Sequence, residues 1–135
     1  MARTYRVKCP KCGEVINLPG AAPCPKCGTP IDVALPGLIQ IYRMGNFIGS
    51  MAGYGIYLND MPLGHIGDRE TVLIPVPYGT YKLHMTCGMN RRCNDPVFEI
   101  NPQDPYVCVK AHIKMGAFTN KIVVERVTPD TMPQV

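Results

Sequence analysis

Residues 9–28 decide how the first part of the chain folds, and they read CPKCGEVINLPGAAPCPKCG. The five residues Cys9–Gly13 recur as Cys24–Gly28, with eleven residues between the inner cysteines. Two cysteines with two residues between them can grip one metal ion from a single tight turn, and the glycine that follows permits a backbone that points amides toward the sulfurs. Two such turns supply four thiolates, which is a complete tetrahedral shell.

The spacing therefore predicts one structural zinc ion, bound by Cys9, Cys12, Cys24 and Cys27. A single Cys-x2-Cys could instead be a redox pair, but two matched copies favour metal. Four cysteines leave no open position, which disfavours a catalytic zinc. Residues 1–33 hold few large apolar side chains and would need the metal to fold. The two repeats resemble the zinc-ribbon family, and this resemblance implies a metal and a fold rather than a function, since ribbons serve nucleic-acid, protein and structural roles.

Downstream of this segment the pattern indicates short strands. The chain has 13 Gly and 14 Pro among 135 residues, a frequency that suits strands joined by turns and breaks long helices. Residues 106–115 alternate with period two, which is a strong strand signal. We expect an all-β fold, in which a small zinc ribbon (1–33) and a linker (34–37) precede an antiparallel β-sandwich of about seven or eight strands (38–127). We expect the last residues, 128–135, to form a flexible tail.

The second region also carries a recognisable series of short segments: Ile41-Tyr42-Arg43, Phe47-Ile48-Gly49-Ser50, Ile56-Tyr57-Leu58-Asn59, Leu63-Gly64 and Pro77-Tyr78-Gly79-Thr80-Tyr81. This series resembles small bacterial β-sandwich modules of the PEGA and carboxypeptidase-regulatory kind. Asn59-Asp60 stands where such modules often have Asn-Gly. The resemblance implies a noncatalytic binding or spacer module, and it brings no catalytic residues with it.

Charge and segment composition narrow the function classes. The formal charge is +4, but four thiolates and one Zn²⁺ together contribute −2, so the loaded protein carries about +2. Strong nonspecific attraction to phosphate is therefore not implied. The sequence contains no run of 18 apolar residues, so we expect no membrane-spanning helix. Residues 1–8 are polar and lead directly into the first cysteine pair, so we expect no signal peptide. With seven cysteines at metal-type spacing, we expect a cytoplasmic protein.

Several residues outside the ribbon are weaker candidates. Cys87 and Cys93 are a possible redox pair, and the loop between them is a possible interaction site, formed by Met89, Asn90, Arg91 and Arg92. Cys108 and His112 share a strand face and could join a second metal site if two further ligands approached. His65 and His84 read as isolated strand or surface residues. No catalytic constellation is recognisable, so we expect a protein that is not an enzyme.

Three functions are compatible with these features. The first is a zinc-binding protein-interaction or assembly module, which could self-associate through its sheet edges. The second is a nucleic-acid-binding protein that uses the basic residues of the ribbon, namely Arg3, Arg6, Lys8, Lys11 and Lys26. The third and weakest is a thiol redox sensor that uses Cys87 and Cys93.

Overall fold

The computed structural model describes residues 4–44, 53–87, 93–115 and 120–132. Within these ranges the only helical element is a single 3₁₀ turn, and all other regular structure is strand, which confirms the all-β prediction. No helix in the described ranges is long and apolar enough to cross a membrane. The strands are β1 Tyr5–Lys8, β2 Val15–Leu18, β3 Ala22–Pro23, β4 Pro30–Ile31, β5 Gly37–Arg43, β6 Tyr54–Leu58, β7 Met61–Ile66, β8 Thr71–Val76, β9 Gly79–Cys87, β10 Val97–Ile100, β11 Tyr106–Met115 and β12 Asn120–Val127.

Two sheets face each other across one core. The larger sheet has the strand order β12-β11-β5-β8-β1-β2, and the smaller has the order β10-β9-β6-β7. Alternate residues of β11, including Val107, Val109 and Ala111, are fully buried, as the period-two pattern predicts. They belong to the same core cluster as Ile56 and Leu83 of the smaller sheet. The eight strands from β5 to β12 therefore form the two layers of the sandwich.

One strand pairing differs from the antiparallel arrangement that we predicted. Strands β5 and β11 are adjacent and parallel, with Leu38 opposite Tyr106 and Arg43 opposite Ala111. The other pairs within the sandwich are antiparallel in the described residues. Alternation in a sequence fixes which face of a strand is buried, but it carries no information about the direction of the neighbouring strand.

The β1–β2 hairpin, which carries Cys9 and Cys12 in its turn, continues the larger sheet, whereas Cys24 and Cys27 lie between β3 and β4, which form a separate two-stranded sheet. Strand β1 pairs with β2 in antiparallel fashion and lies beside β8 in parallel, with Tyr5 opposite Leu73. At the other end of the chain, part of the segment predicted to fray forms a 3₁₀ turn at Pro129–Thr131. Met132 follows this turn and is only 9 % exposed.

Candidate metal centre

Each cysteine pair lies in a compact turn closed by backbone hydrogen bonds. The Cys9 amide donates to the Glu14 carbonyl (2.8 Å), and the Gly13 amide donates to the Cys9 carbonyl (3.0 Å). The second turn repeats this pattern, from Cys24 to Thr29 (2.8 Å) and from Gly28 to Cys24 (2.8 Å). Gly13 and Gly28 have φ values of 78° and 80°, in the left-handed region that favours glycine. The sequence repeat therefore corresponds to two turns of the same build.

The two turns bring all four sulfurs together. The Sγ atoms of Cys9 and Cys27 are 3.6 Å apart, those of Cys12 and Cys24 are 3.7 Å apart, and all four lie within 4.8 Å of one another. A tetrahedral ion with metal–sulfur bonds of about 2.3 Å requires sulfurs about 3.8 Å apart. A disulfide would need about 2.05 Å. The sequence prediction of a four-cysteine metal site is thus confirmed at the level of ligand geometry.

The electrostatics of the four sulfurs are uneven. The hydroxyl of Thr29, 3.2 Å from the Cys27 sulfur, is the main cause that lowers the pKa of Cys27 to about 6. A hydrogen bond from the backbone of Cys12 lowers the pKa of Cys9. The backbone of Glu14 acts in the same direction on Cys12, but partial desolvation of this exposed sulfur and its contacts with the other three sulfurs outweigh it and raise the pKa of Cys12 to about 12. A bound cation would remove this conflict, because it stabilises all four thiolates at once.

A small cluster of apolar residues supports the site from one side. Cys9 and Cys24 are 1 % and 2 % exposed and pack with three aliphatic side chains, those of Ile16, Leu18 and Ile31. Cys12 and Cys27 are exposed. Two of the five buried members of this cluster are candidate metal ligands themselves, so we expect so short a segment to need a bound metal for its stability.

Arg6 joins the β1–β2 hairpin to the sandwich. Its side chain is 5 % exposed, and one guanidinium nitrogen, Nη1, donates to the carbonyls of Leu63 (2.8 Å) and His65 (2.9 Å) on β7. Its Nε donates to Asn17 Oδ1 (2.6 Å) on β2. Burial is the main cause that lowers the pKa of Arg6. The sequence analysis placed this cation among possible nucleic-acid contacts, whereas the structure uses it internally.

Gly64 leaves the space that the guanidinium of Arg6 occupies beside β7. Leu63 and Gly64 together lie opposite Ile56, so β7 contains a β-bulge at this point. Gly64 has a φ of 73°, and a Cβ added to it would lie 3.1 Å from Nη1 of Arg6. Glycine is therefore favoured here both by the backbone conformation and by the close approach of the guanidinium.

A groove lies between the hairpin and the sandwich. It has a volume of about 560 Å³. The hairpin side and its connection contribute Ile31 and Leu35, and the sandwich side contributes Met61 and Tyr81. Leu35 and Met61 are 40 % and 37 % exposed, so apolar side chains remain available at its mouth. Four further lining residues are prolines, namely Pro10, Pro30, Pro75 and Pro77.

Side chains cover the outer edges of two edge strands, β12 of the larger sheet and β7 of the smaller sheet. The amide of Asn94 donates to the Val124 carbonyl (2.9 Å) and accepts from the Val124 amide (2.8 Å), so it occupies the outer edge of β12 as a partner strand would. Cys93 forms a parallel bridge with Ile122 beside it. On β7, Arg6 already binds two carbonyls. Self-association through these two edges is therefore disfavoured.

The remaining sequence candidates are only partly brought together. The loop Met89–Arg92 lies outside the described residues. Cys87 and Cys93 are free thiols, and burial raises the pKa of Cys93, which does not favour thiolate chemistry. Cys108 is buried, and within the described ranges neither it nor His112 belongs to a set of metal-binding side chains.

The sequence analysis missed one cluster. Cys93 lies with His84 and Asp95, and one possible ligand atom from each lies within 4.8 Å of the others. The imidazole Nδ1 of His84 is 2.7 Å from Asp95 Oδ1. The signal in the sequence is weak, because His84 precedes the other two by a loop and nothing in the pattern shows how that loop returns.

No protein-family model, curated protein or solved structure matches the chain. The likeness of residues 38–127 to PEGA and carboxypeptidase-regulatory modules therefore stays a prediction. The function has to be argued from the geometry of the described residues.

Proposed function

We propose that this protein is a zinc-binding interaction module and not an enzyme, and that its partner binds in the groove between the metal hairpin and the sandwich. The observation that supports the proposal is the apolar groove, one wall of which belongs to the segment that carries the four candidate metal ligands. The metal then acts structurally, by keeping that wall in place. The metal-type cysteine spacing supports a reducing compartment, for which we propose the cytoplasm.

Zinc is the metal that this ligand set suits best. Four thiolates in a closed tetrahedral arrangement select zinc or iron among common metals, and a closed shell of this kind is typical of structural zinc. Elemental analysis of the purified protein, together with its visible absorption, separates the two. We expect a colourless protein that contains zinc and no iron, whereas a coloured protein that contains iron would contradict the assignment.

The lining of the groove indicates what kind of contact it makes. Prolines have no backbone amide, so four of its residues cannot donate hydrogen bonds from the main chain. Apolar side chains therefore provide most of the contact surface, as in other sites that bind an apolar anchor of a partner. We propose that a protein segment inserts one or two large apolar side chains between Leu35 and Met61.

A matched set of charge insertions tests this proposal. Leu35→Glu and Met61→Glu place a carboxylate at the mouth of the groove, while Val97→Glu places one on β10, where the native side chain is 63 % exposed. Each tagged variant is cross-linked in cells and its captured proteins are identified. We expect a protein that the parent and Val97→Glu capture equally and that both groove variants lose.

The outcome that overturns the proposal is equally specific. If every captured protein is retained by both groove variants, the groove is not the binding surface. Chelation of the metal gives a second, independent readout. The captured partner should dissociate when zinc is removed, because one wall of the groove loses its support.

A further inference from the structure

A second group of metal-binding side chains lies on the smaller sheet, away from the four cysteines. His84 is on β9, and Cys93 and Asp95 lie on the segment that follows residues 88–92 and returns beside this strand. Asp95 Oδ1 is 2.7 Å from Nδ1 of His84, and the Cys93 sulfur lies within 4.8 Å of a ligand atom of each. The side chains of His84 and Asp95 are 25 % and 39 % exposed, so an ion could enter from solvent.

The backbone around this cluster is held in place from several directions. Asn94, between the two candidate ligands, is fixed to Val124 by both of its side-chain hydrogen bonds. The Leu83 amide donates to the Pro96 carbonyl (3.0 Å), which ties the returning segment to β9. Asp95 itself has a φ of 47°, an uncommon conformation for a residue with a side chain. Such conformations persist where the surroundings impose them, and they occur often at functional sites.

The arrangement of the three side chains distinguishes metal binding from nucleophilic catalysis. In a cysteine–histidine–acid relay, the imidazole lies between the sulfur and the carboxylate. Here the Cys93 sulfur lies within 4.8 Å of the Asp95 carboxylate as well as of the imidazole, so the three groups form a triangle.

We propose that His84, Cys93 and Asp95 form a second metal site, which binds a divalent transition metal such as Zn²⁺ through three protein ligands. With bonds of about 2.0–2.1 Å, a tetrahedral ion holds nitrogen and oxygen ligands about 3.3 Å apart. The present 2.7 Å between His84 and Asp95 would have to widen by roughly 0.6 Å. The Asp95 side chain is 39 % exposed, so this movement would be toward solvent and not against packed neighbours.

The donor set also defines the kind of site. One sulfur, one imidazole nitrogen and one carboxylate oxygen together suit Zn²⁺ better than Mg²⁺ or Ca²⁺, which prefer oxygen ligands. Three protein ligands leave a fourth position for water or an added ligand, in contrast to the closed four-cysteine site. The ring of Tyr57, whose centroid lies 5.7 Å from that of His84, packs against the imidazole and helps to fix its orientation.

Metal stoichiometry of the full chain tests the proposal. The protein is first loaded with one Zn²⁺ at the four cysteines, and further Zn²⁺ is then titrated by calorimetry, with elemental analysis after gel filtration. We expect the parent protein to bind a second equivalent. His84→Ala, Cys93→Ser and Asp95→Asn should each weaken this second binding by more than roughly 10–100-fold, which is the loss typical when a residue that hydrogen-bonds to a metal ligand is replaced.

Two matched controls and the fold of the variants make the result decisive. His65→Ala and Cys87→Ser remove the same side-chain types outside the cluster and should keep the second equivalent. Asp95→Asn is tolerated by the backbone, because asparagine adopts positive φ readily. A parent protein that binds only one Zn²⁺ would overturn the proposal. Retention of the second equivalent by any of the three ligand variants would overturn it too.

Discussion

Replacing Arg6 by alanine should loosen the metal hairpin from the sandwich. Nη1 of Arg6 donates to two carbonyls of β7, those of Leu63 and His65, from a position that is 5 % exposed. Hydrogen bonds from a charged donor contribute about 1.5–3 kcal/mol each, so the two together contribute about 3–6 kcal/mol. Part of this is offset, because alanine removes the cost of burying a cation and lets water reach the freed carbonyls.

The net loss in the free energy of unfolding should be about 2–4 kcal/mol. For a chain of 135 residues, 1 kcal/mol corresponds to a shift of about 3–4 °C in the thermal midpoint, so we expect a decrease of about 6–16 °C. The measurement is thermal and urea unfolding of the metal-loaded protein. Lys8→Ala is the matched control, because Lys8 lies on the same strand but is exposed, and its replacement should change stability by less than about 0.5 kcal/mol.

Arg6→Lys separates charge from geometry. Lysine keeps the positive charge but lacks the planar fork of arginine. We therefore expect a midpoint between those of the parent and of Arg6→Ala. An alanine variant as stable as Lys8→Ala would refute the reasoning, because it would mean that the hairpin is held to β7 by other contacts.

Three further predictions concern the metal, an edge strand and pH. Removal of the metal with a chelator should unfold the hairpin while the sandwich keeps its far-ultraviolet strand signal, and restoring zinc should reverse the change; an unaltered near-ultraviolet spectrum would argue against a metal-dependent hairpin. Asn94→Ala should cost about 1–2 kcal/mol and expose the edge of β12 at Val124, so light scattering should detect concentration-dependent association, whereas a strictly monomeric variant would show that the edge has other protection. The hydrogen bond from Arg126 lowers the pKa of Asp104 below its ordinary 3.8, so this pair stabilises the folded protein above that pH, and the contribution is lost as the pH falls below it. In Asp104→Asn, the free energy of unfolding should therefore depend less on pH in this range. An identical acid profile in the variant would exclude a role for the pair.

The four-cysteine site could be predicted from the sequence because its determinants are local. Each ligand pair and its glycine lie within five residues, and the two copies match. The strands of the sandwich could be predicted for the same reason, since the alternation of apolar and polar side chains is a property of neighbouring residues. The turn at Asn59-Asp60 belongs to this group as well, with φ values of 50° and 65° that connect β6 directly to β7.

The features that sequence reasoning missed depend on contacts between distant segments. Arg6 reads as one more surface cation, because nothing near it shows that Gly64 prepares a place for its guanidinium. His84 reads as isolated because its partners are set by the register of the returning segment. The parallel pairing of β5 with β11 likewise follows from the route of the intervening chain, which no local pattern encodes.

The attachment of the hairpin also imposes an order on folding during synthesis. The hydrogen bonds of Arg6 span 57 and 59 residues, so the hairpin emerges from the ribosome before the strand on which it docks. All four cysteines precede that strand, so they could bind the metal ion before the hairpin docks, while the guanidinium of Arg6 is still hydrated. In a cell short of zinc, the hairpin would then still be unfolded when the sheet forms, and the shortage would appear as failure of the hairpin to dock on the sandwich.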